Sequence, residues 1–170
     1  MDQDMTTPAL FQAMARYNAW MNEKLYAAAS TLSDEERKAD RGAFFGSIHG
    51  TLDHLVFGDR AWMNRLGPRD YPLKPLGGLQ CEDWDELRAA RVDLDADIVG
   101  WAGGLTEDWL AETLEWKSGV YARDFSHPHW GLVMQLFNHQ THHRGQATTL
   151  LTQAGVDVGP TDLPVAPIWG

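Results

Sequence analysis

The sequence predicts an all-α protein, a four-helix bundle with a small β-hairpin before the last helix. Three observations carry that expectation. Four long stretches repeat apolar residues at spacings of three and four, the period of a helix that buries one face. A single stretch around residue 120 alternates apolar and polar residues instead, the period of a strand. Capping and helix-breaking residues stand at the ends of each long stretch.

Thr7 and Pro8 suit the N-cap and first position of a helix. From there Leu10, Met14, Tyr17, Met21, Leu25, Ala28 and Leu32 trace one face. Ser33-Asp34-Glu35-Glu36-Arg37-Lys38 reads as a polar turn with room for one short helical segment. A second long helix opens near Ser47, carries Ile48, Leu52, Leu55, Trp62 and Leu66 inward, and stops at Gly67-Pro68. Pro72 to Gly78 is a loop by its prolines and paired glycines. The third long helix starts in Glu82-Asp83-Trp84-Asp85-Glu86, where negative charge suits a helix N-terminus. Its stripe is Trp84, Leu87, Leu94, Ile98, Trp101 and Leu105, and Gly103-Gly104 ends it. Leu114 and Trp116, then Tyr121, Arg123 and Phe125, alternate around Ser118-Gly119 as a hairpin. Ser126-His127-Pro128 opens the fourth long helix, and Gly155 is its expected C′ residue. Residues 156–170, with three prolines, form an extended strap, and the whole of 1–170 reads as one domain.

Composition narrows the function. The formal charge of −10 is wrong for nucleic acid or for an anionic membrane, both of which call for a basic surface. The acidic start, Met1-Asp2-Gln3-Asp4, lacks the apolar segment of a signal peptide. No apolar run is long enough to span a bilayer. The lone cysteine, Cys81, rules out an internal disulfide framework and fits a reducing cytoplasm. With no basic neighbour in sequence it reads as an inert thiol. Eight tryptophans are many for this length and point to an aromatic core, a ligand pocket or a subunit interface.

The chemistry gathers in the last long helix. His139 and His143 lie four residues apart and share one face with Leu132, Leu136, Ala147, Leu150 and Ala154. Two imidazoles one turn apart on an inward face can reach one metal ion. His142 falls instead on a polar face with Gln135, Asn138, Thr149 and Gln153. A third ligand is needed, and His54 is the best candidate. The second helix surrounds it with Gly50, Thr51, Gly58 and Ala61, small residues that leave room for an ion or a close helix contact. Three neutral imidazoles with positions left open is the composition of a catalytic site rather than a closed structural one. Zinc suits it, and imidazole also accepts nickel, iron or manganese. The competing reading of the HxxxH spacing alone is a pair of hydrogen-bonded core histidines. Gln140 stands where a helical zinc protease carries its glutamate base, which argues against peptidase chemistry. His49 lies off the His54 face, as a helix-surface group or one set behind the site. His127 and His129 read as capping or exposed. Asp59 interrupts the apolar stripe of the second helix, so it is expected to be buried with a partner, and Arg144 is the candidate. Tyr17, Trp20 and Trp62 are expected to wall the pocket.

Tyr17-Asn18-Ala19-Trp20, the run from Ser47 to Leu55 leading into Asp59-Arg60-Ala61-Trp62, and Asn138 to Gln146 together resemble the DinB family, as does the tail from Gly155 to Pro164. The family is distinct from the DNA polymerase of the same name. The resemblance implies a four-helix bundle, usually a homodimer, with a divalent metal held by three histidines. Carried onto this chain these are His54, His139 and His143. Relatives include mycothiol-dependent isomerases and transferases that use bacillithiol. The expectation is therefore a metalloenzyme, with zinc or nickel foremost, that activates a small thiol for transfer to an electrophile. The alternatives are a hydrolase using water at the metal and a non-catalytic metal-binding stress-response protein.

Overall fold

The structure is a computed structural model that describes residues 7–75, 77–119 and 121–169. The acidic start at Met1 to Asp4, Leu76 of the proline loop and Gly170 of the tail lie outside the described residues. Helices α1 (Pro8–Ala29), α3 (Ile48–Leu66), α4 (Trp84–Gly103) and α6 (His129–Gln153) form the bundle. Two short helices, α2 (Asp34–Lys38) and α5 (Glu107–Ala111), sit in the connections, and strands β1 (Thr113–Ser118) and β2 (Arg123–Pro128) make the hairpin. A 3-10 turn spans Leu163–Val165 in the tail. No helix of the described residues is long and apolar enough to cross a membrane.

Helices α1 and α3 each pack against α4 and α6, so the order around the bundle is α1, α4, α3, α6. The first two long helices are therefore diagonal, and the connection through α2 carries the chain across. The connection from α4 to α6 is likewise diagonal, and α5 with the hairpin fills it. Register in the hairpin sets Trp116 opposite Phe125 and Ser118 opposite Arg123. The inward positions of β1 are Leu114, Trp116 and Ser118, so the hairpin lays its aromatic face towards the bundle.

Local chemistry explains most element ends. Ser33 and Glu36 form a capping box at α2, and Ser47 accepts from the Gly50 N–H at the start of α3. Asp83 accepts from the N–H groups of Asp85 and Glu86 at the start of α4. At the end of α6, Gly155 takes φ 81°, and the N–H of Val156 reaches back to the Leu151 carbonyl at 2.9 Å. That left-handed turn suits glycine.

Four expectations need correction. The buried residues of α1 are Phe11, Ala15, Asn18, Met21, Asn22, Leu25, Tyr26 and Ala29. Met21 and Leu25 of the expected stripe are among them, but the face is turned by about one residue, and Leu10 is half exposed. Two asparagines lie inside because they bond a buried carboxylate on α4. Helix α6 begins at His129, not at Ser126: the ladder runs on until Pro128 pairs with Thr113, which places Ser126 and His127 in a strand. His129 is buried rather than exposed, stacked 4.0 Å from the Trp109 ring with Nδ1 2.8 Å from the Trp109 carbonyl. His49 is also buried, its Nε2 2.8 Å from the Cys81 carbonyl.

Candidate metal centre

His54 comes from α3 and His139 and His143 from α6, neighbouring helices in the bundle. Their close approach depends on Gly58, one turn beyond His54. A Cβ there would stand 2.4 Å from His139 Cε1 and 3.0 Å from its Nδ1, so only glycine lets the ring lie against the α3 backbone. His54 Nε2 and His139 Nε2 are 3.3 Å apart, and one nitrogen from each of the three rings lies within 4.8 Å of the others. His142, one residue from this set, is exposed.

Packing and hydrogen bonds orient the rings. Phe45 stacks on His54 at 3.8 Å and meets the His143 ring edge-on at 5.4 Å. Gly50 makes room for it, since a Cβ at 50 would fall 2.2 Å from the Phe45 carbonyl oxygen. His143 Nδ1 lies 2.7 Å from Gln146 Oε1, a contact that holds the proton on Nδ1 and leaves the Nε2 lone pair free. His139 has no such partner at Nδ1, and the wall at Gly58 fixes its ring instead. Burial, reinforced by the neighbouring imidazoles, pushes the pKa of His54 down to about 3 and that of His139 to about 4. Burial also lowers His143, against a smaller upward push from Gln146. All three are thus neutral near pH 7, the form in which imidazole binds metal.

The donor set fits a divalent ion. Two nitrogens each about 2.05 Å from a shared tetrahedral ion stand about 3.3 Å apart, the separation found between His54 and His139. These three histidines could hold a metal ion.

Above them opens a cleft of about 820 Å³. Its walls are rich in aromatic side chains, Phe44, Phe45, Phe57, Trp62, Trp116 and Tyr121. The one carboxylate among its described lining residues is Asp53, and both its oxygens are committed to the backbone N–H groups of Gln80 and Cys81 at 2.8 Å. Asp53 and His49 together pin the loop before α4 and are structural. Cys81, held by that contact, is 7% exposed, and burial pushes its thiol pKa up. A smaller hollow of about 480 Å³ on the hairpin is lined by no histidine.

The residues expected around the site are distributed differently. Trp62 lines the cleft. Tyr17 and Trp20 do not, because α1 is diagonal to α3; the Tyr17 hydroxyl donates to the Thr161 carbonyl of the tail at 2.6 Å. Asp59 is fully buried, as its position demanded, but its partner is Arg91 of α4 at 2.7 Å, not Arg144. Arg91 also reaches Asp95 at 2.9 Å. Arg144 bonds Asn18, Gln140 and Thr141, and burial lowers its pKa to about 10. Gln140 is fully buried in this layer, so the residue after His139 faces away from the cleft.

A helical bundle with an open cleft ending on three converging imidazoles defines a class of metal-competent proteins. A model of the DinB family matches residues 2–169, and the chain belongs to that family. It is 23% identical over 154 residues to Protein DinB of Bacillus subtilis strain 168, covering 86% of this chain and 87% of that one. It also resembles the crystal structure of a DinB-like protein from Bacillus cereus, with TM-score 0.57 and 21% identity, covering 83% of this chain and 90% of the other. That likeness bears on the fold.

Proposed function

We propose that His54, His139 and His143 bind one divalent ion, zinc or nickel foremost, and that the protein is a metalloenzyme activating a small thiol for transfer to an electrophile. The observation that carries this reading is the convergence of three neutral imidazoles at the base of an aromatic cleft. A divalent ion there would supply Lewis acidity, drawing the proton from a coordinating thiol near neutral pH.

The chain's own residues orient and shield. Gln146 keeps His143 in the tautomer that offers Nε2, Phe45 covers the His54 ring, and the aromatic walls give the reacting pair an apolar flank. Asp53, with both oxygens occupied, is poorly placed to act as a base for water. This favours a thiol, which needs no protein base, over hydrolysis. Cys81 is not available as a nucleophile, so the sulfur must come from the substrate. A cytoplasmic homodimer belongs with this reading, supported by the lone buried thiol and by the family resemblance.

Metal content of the purified protein, followed by titration of the cobalt-loaded form with low-molecular-weight thiols, tests it. A sulfur-to-metal charge-transfer band that is lost in His143→Ala supports thiol activation. Stoichiometric metal with no band for any thiol sinks that step and leaves the hydrolase reading. Unfolding on chelation, with no exchangeable position, leaves a structural metal.

A further inference from the structure

The cleft contains one feature that metal chemistry does not use. Arg65 lies eleven residues beyond His54 on α3, three turns on, which returns it to the same face of the helix. Its Nη1 donates to the Ala61 carbonyl at 2.5 Å, so the side chain folds back towards the histidines. The guanidinium sits over the rings of Trp62 and Trp116, 5.4 and 5.0 Å from their centroids. Those two rings meet edge to face at 5.8 Å and form a shelf for it. Arg65 makes no ion pair among the described residues, and the Ala61 contact is its one hydrogen bond there. The rest of its five-donor fork is uncommitted within the protein. Apart from the histidines it is the only basic side chain among the described residues lining the cleft.

A chain of net charge −10 has no general attraction for anions. A lone, unneutralised arginine held on an aromatic shelf at the exposed edge of the cleft is therefore a local exception, and a planar fork of donors matches an oxyanion. We propose that Arg65 is the anion-recognising residue of this cleft, so that the substrate carries a carboxylate, sulfonate or phosphate at one end. Its apolar or aromatic body lies along Phe57 and Trp62, and its reacting end reaches the histidines. The rise from His54 to Ala61, where the guanidinium is anchored, is about 10 Å, and this sets the span between the two ends. The assignment rests on the cleft being the substrate chamber of the proposed metalloenzyme.

Two dyes with the same ring system separate charge from shape. 8-Anilinonaphthalene-1-sulfonate is anionic and N-phenyl-1-naphthylamine is neutral; both are titrated by fluorescence into the metal-loaded full-length protein. Arg65→Ala is expected to weaken the sulfonate about tenfold or more and to leave the neutral amine within about twofold, with Arg65→Lys recovering part of the loss. Trp62→Ala is expected to weaken both dyes. Equal effects of Arg65→Ala on the two dyes, or none on the sulfonate, overturn the proposal. So does indifference of both dyes to Trp62→Ala. In cobalt-loaded protein, 8-mercaptooctanoate should bind more tightly than its methyl ester in wild type but not in Arg65→Ala. If no thiol gives a charge-transfer band while the dyes still discriminate, thiol activation fails and the anion site stands.

Discussion

The cleft and the charged layer behind it are built from neighbouring residues: Gly58 and Asp59 on α3, then His139 with Gln140 and His143 with Arg144 on α6. Successive residues on a helix point about 100° apart, so one pair of helices presents two faces with opposite uses of polarity. In the layer, Asp59, Arg91, Asp95, Asn18, Asn22, Gln140 and Arg144 are linked to one another by hydrogen bonds and ion pairs, although some of their buried atoms, Asp59 Oδ1 and Gln140 Nε2 among them, find no partner. In the cleft, three imidazoles bring one nitrogen each within 4.8 Å of the others, and His54 Nε2 and His139 Nε2 come to 3.3 Å. Buried polar groups that close on each other stabilise a fold. Groups that converge on space are arranged for something that arrives from outside.

Removing one imidazole should break the comparison most sharply. His143→Ala is expected to abolish stoichiometric metal while leaving the fold intact, because the charged layer does not depend on it. His142→Ala should keep nearly full occupancy, its ring being exposed. Elemental analysis with circular dichroism checks both, and equal metal loss in the two variants would sink the three-histidine assignment.

A substitution in the layer should do the reverse. Asp59→Ala takes away one of the two carboxylates that face the fully buried Arg91, leaving Asp95, and is expected to cost up to about 3 kcal/mol, read by denaturant unfolding of the metal-free protein. A variant with an unchanged unfolding midpoint would show that the layer does not stabilise the fold.

The two regions were not equally legible. Spacing alone put His139 and His143 inward, and the small residues around His54 marked where another helix could come close. Asp59 was readable as a buried acid because it interrupts an apolar stripe. Its partner was readable by the same logic and was missed: Arg91 lies four residues after Leu87 and three before Leu94, on the stripe of the third long helix. Two opposite charges that each interrupt a buried face should have been paired. The α1 face was misjudged for a related reason, since Asn18 and Asn22 count as surface residues until a buried carboxylate gives them a partner. Helix α5 carries a capping threonine and two acids in its first turn but is too short for a periodicity. The walls at Phe45 and Trp116 come from a loop and a hairpin whose folding over the bundle is a tertiary event. Gln146 had a signal, three residues beyond His143, that went unused.

Gln146 gives a smaller and sharper test of how the cleft is held. Its Oε1 fixes the His143 tautomer, so Gln146→Ala is expected to weaken metal about 10–100-fold with thermal unfolding of the metal-free protein unchanged. Competition with a chromogenic chelator measures it. A loss of stability without a change in affinity would make Gln146 part of the scaffold instead.

A further test lies in the pH dependence of the metal-free protein. The folded-state pKa values of His54 and His139, about 3 and about 4, lie below their ordinary 6.5. Above pH 6.5 these groups are neutral in both folded and unfolded chains, and their contribution is flat. As pH falls below 6.5 the unfolded chain takes up protons that the folded site refuses, so stability declines. The decline continues until the folded pKa values are reached. The midpoint of urea unfolding should therefore drop between about pH 6.5 and 4. The drop should be shallower in His54→Ala, which removes one refused proton and relieves the crowding on His139 and His143. Bound metal should steepen the loss, since the ion must leave before the imidazoles protonate. Burial raises the carboxylate pKa values of Asp59 and Asp95, which act in the opposite direction as pH falls. Curves of equal slope for wild type and His54→Ala would therefore show that the histidine cluster is more open to water than its packing indicates.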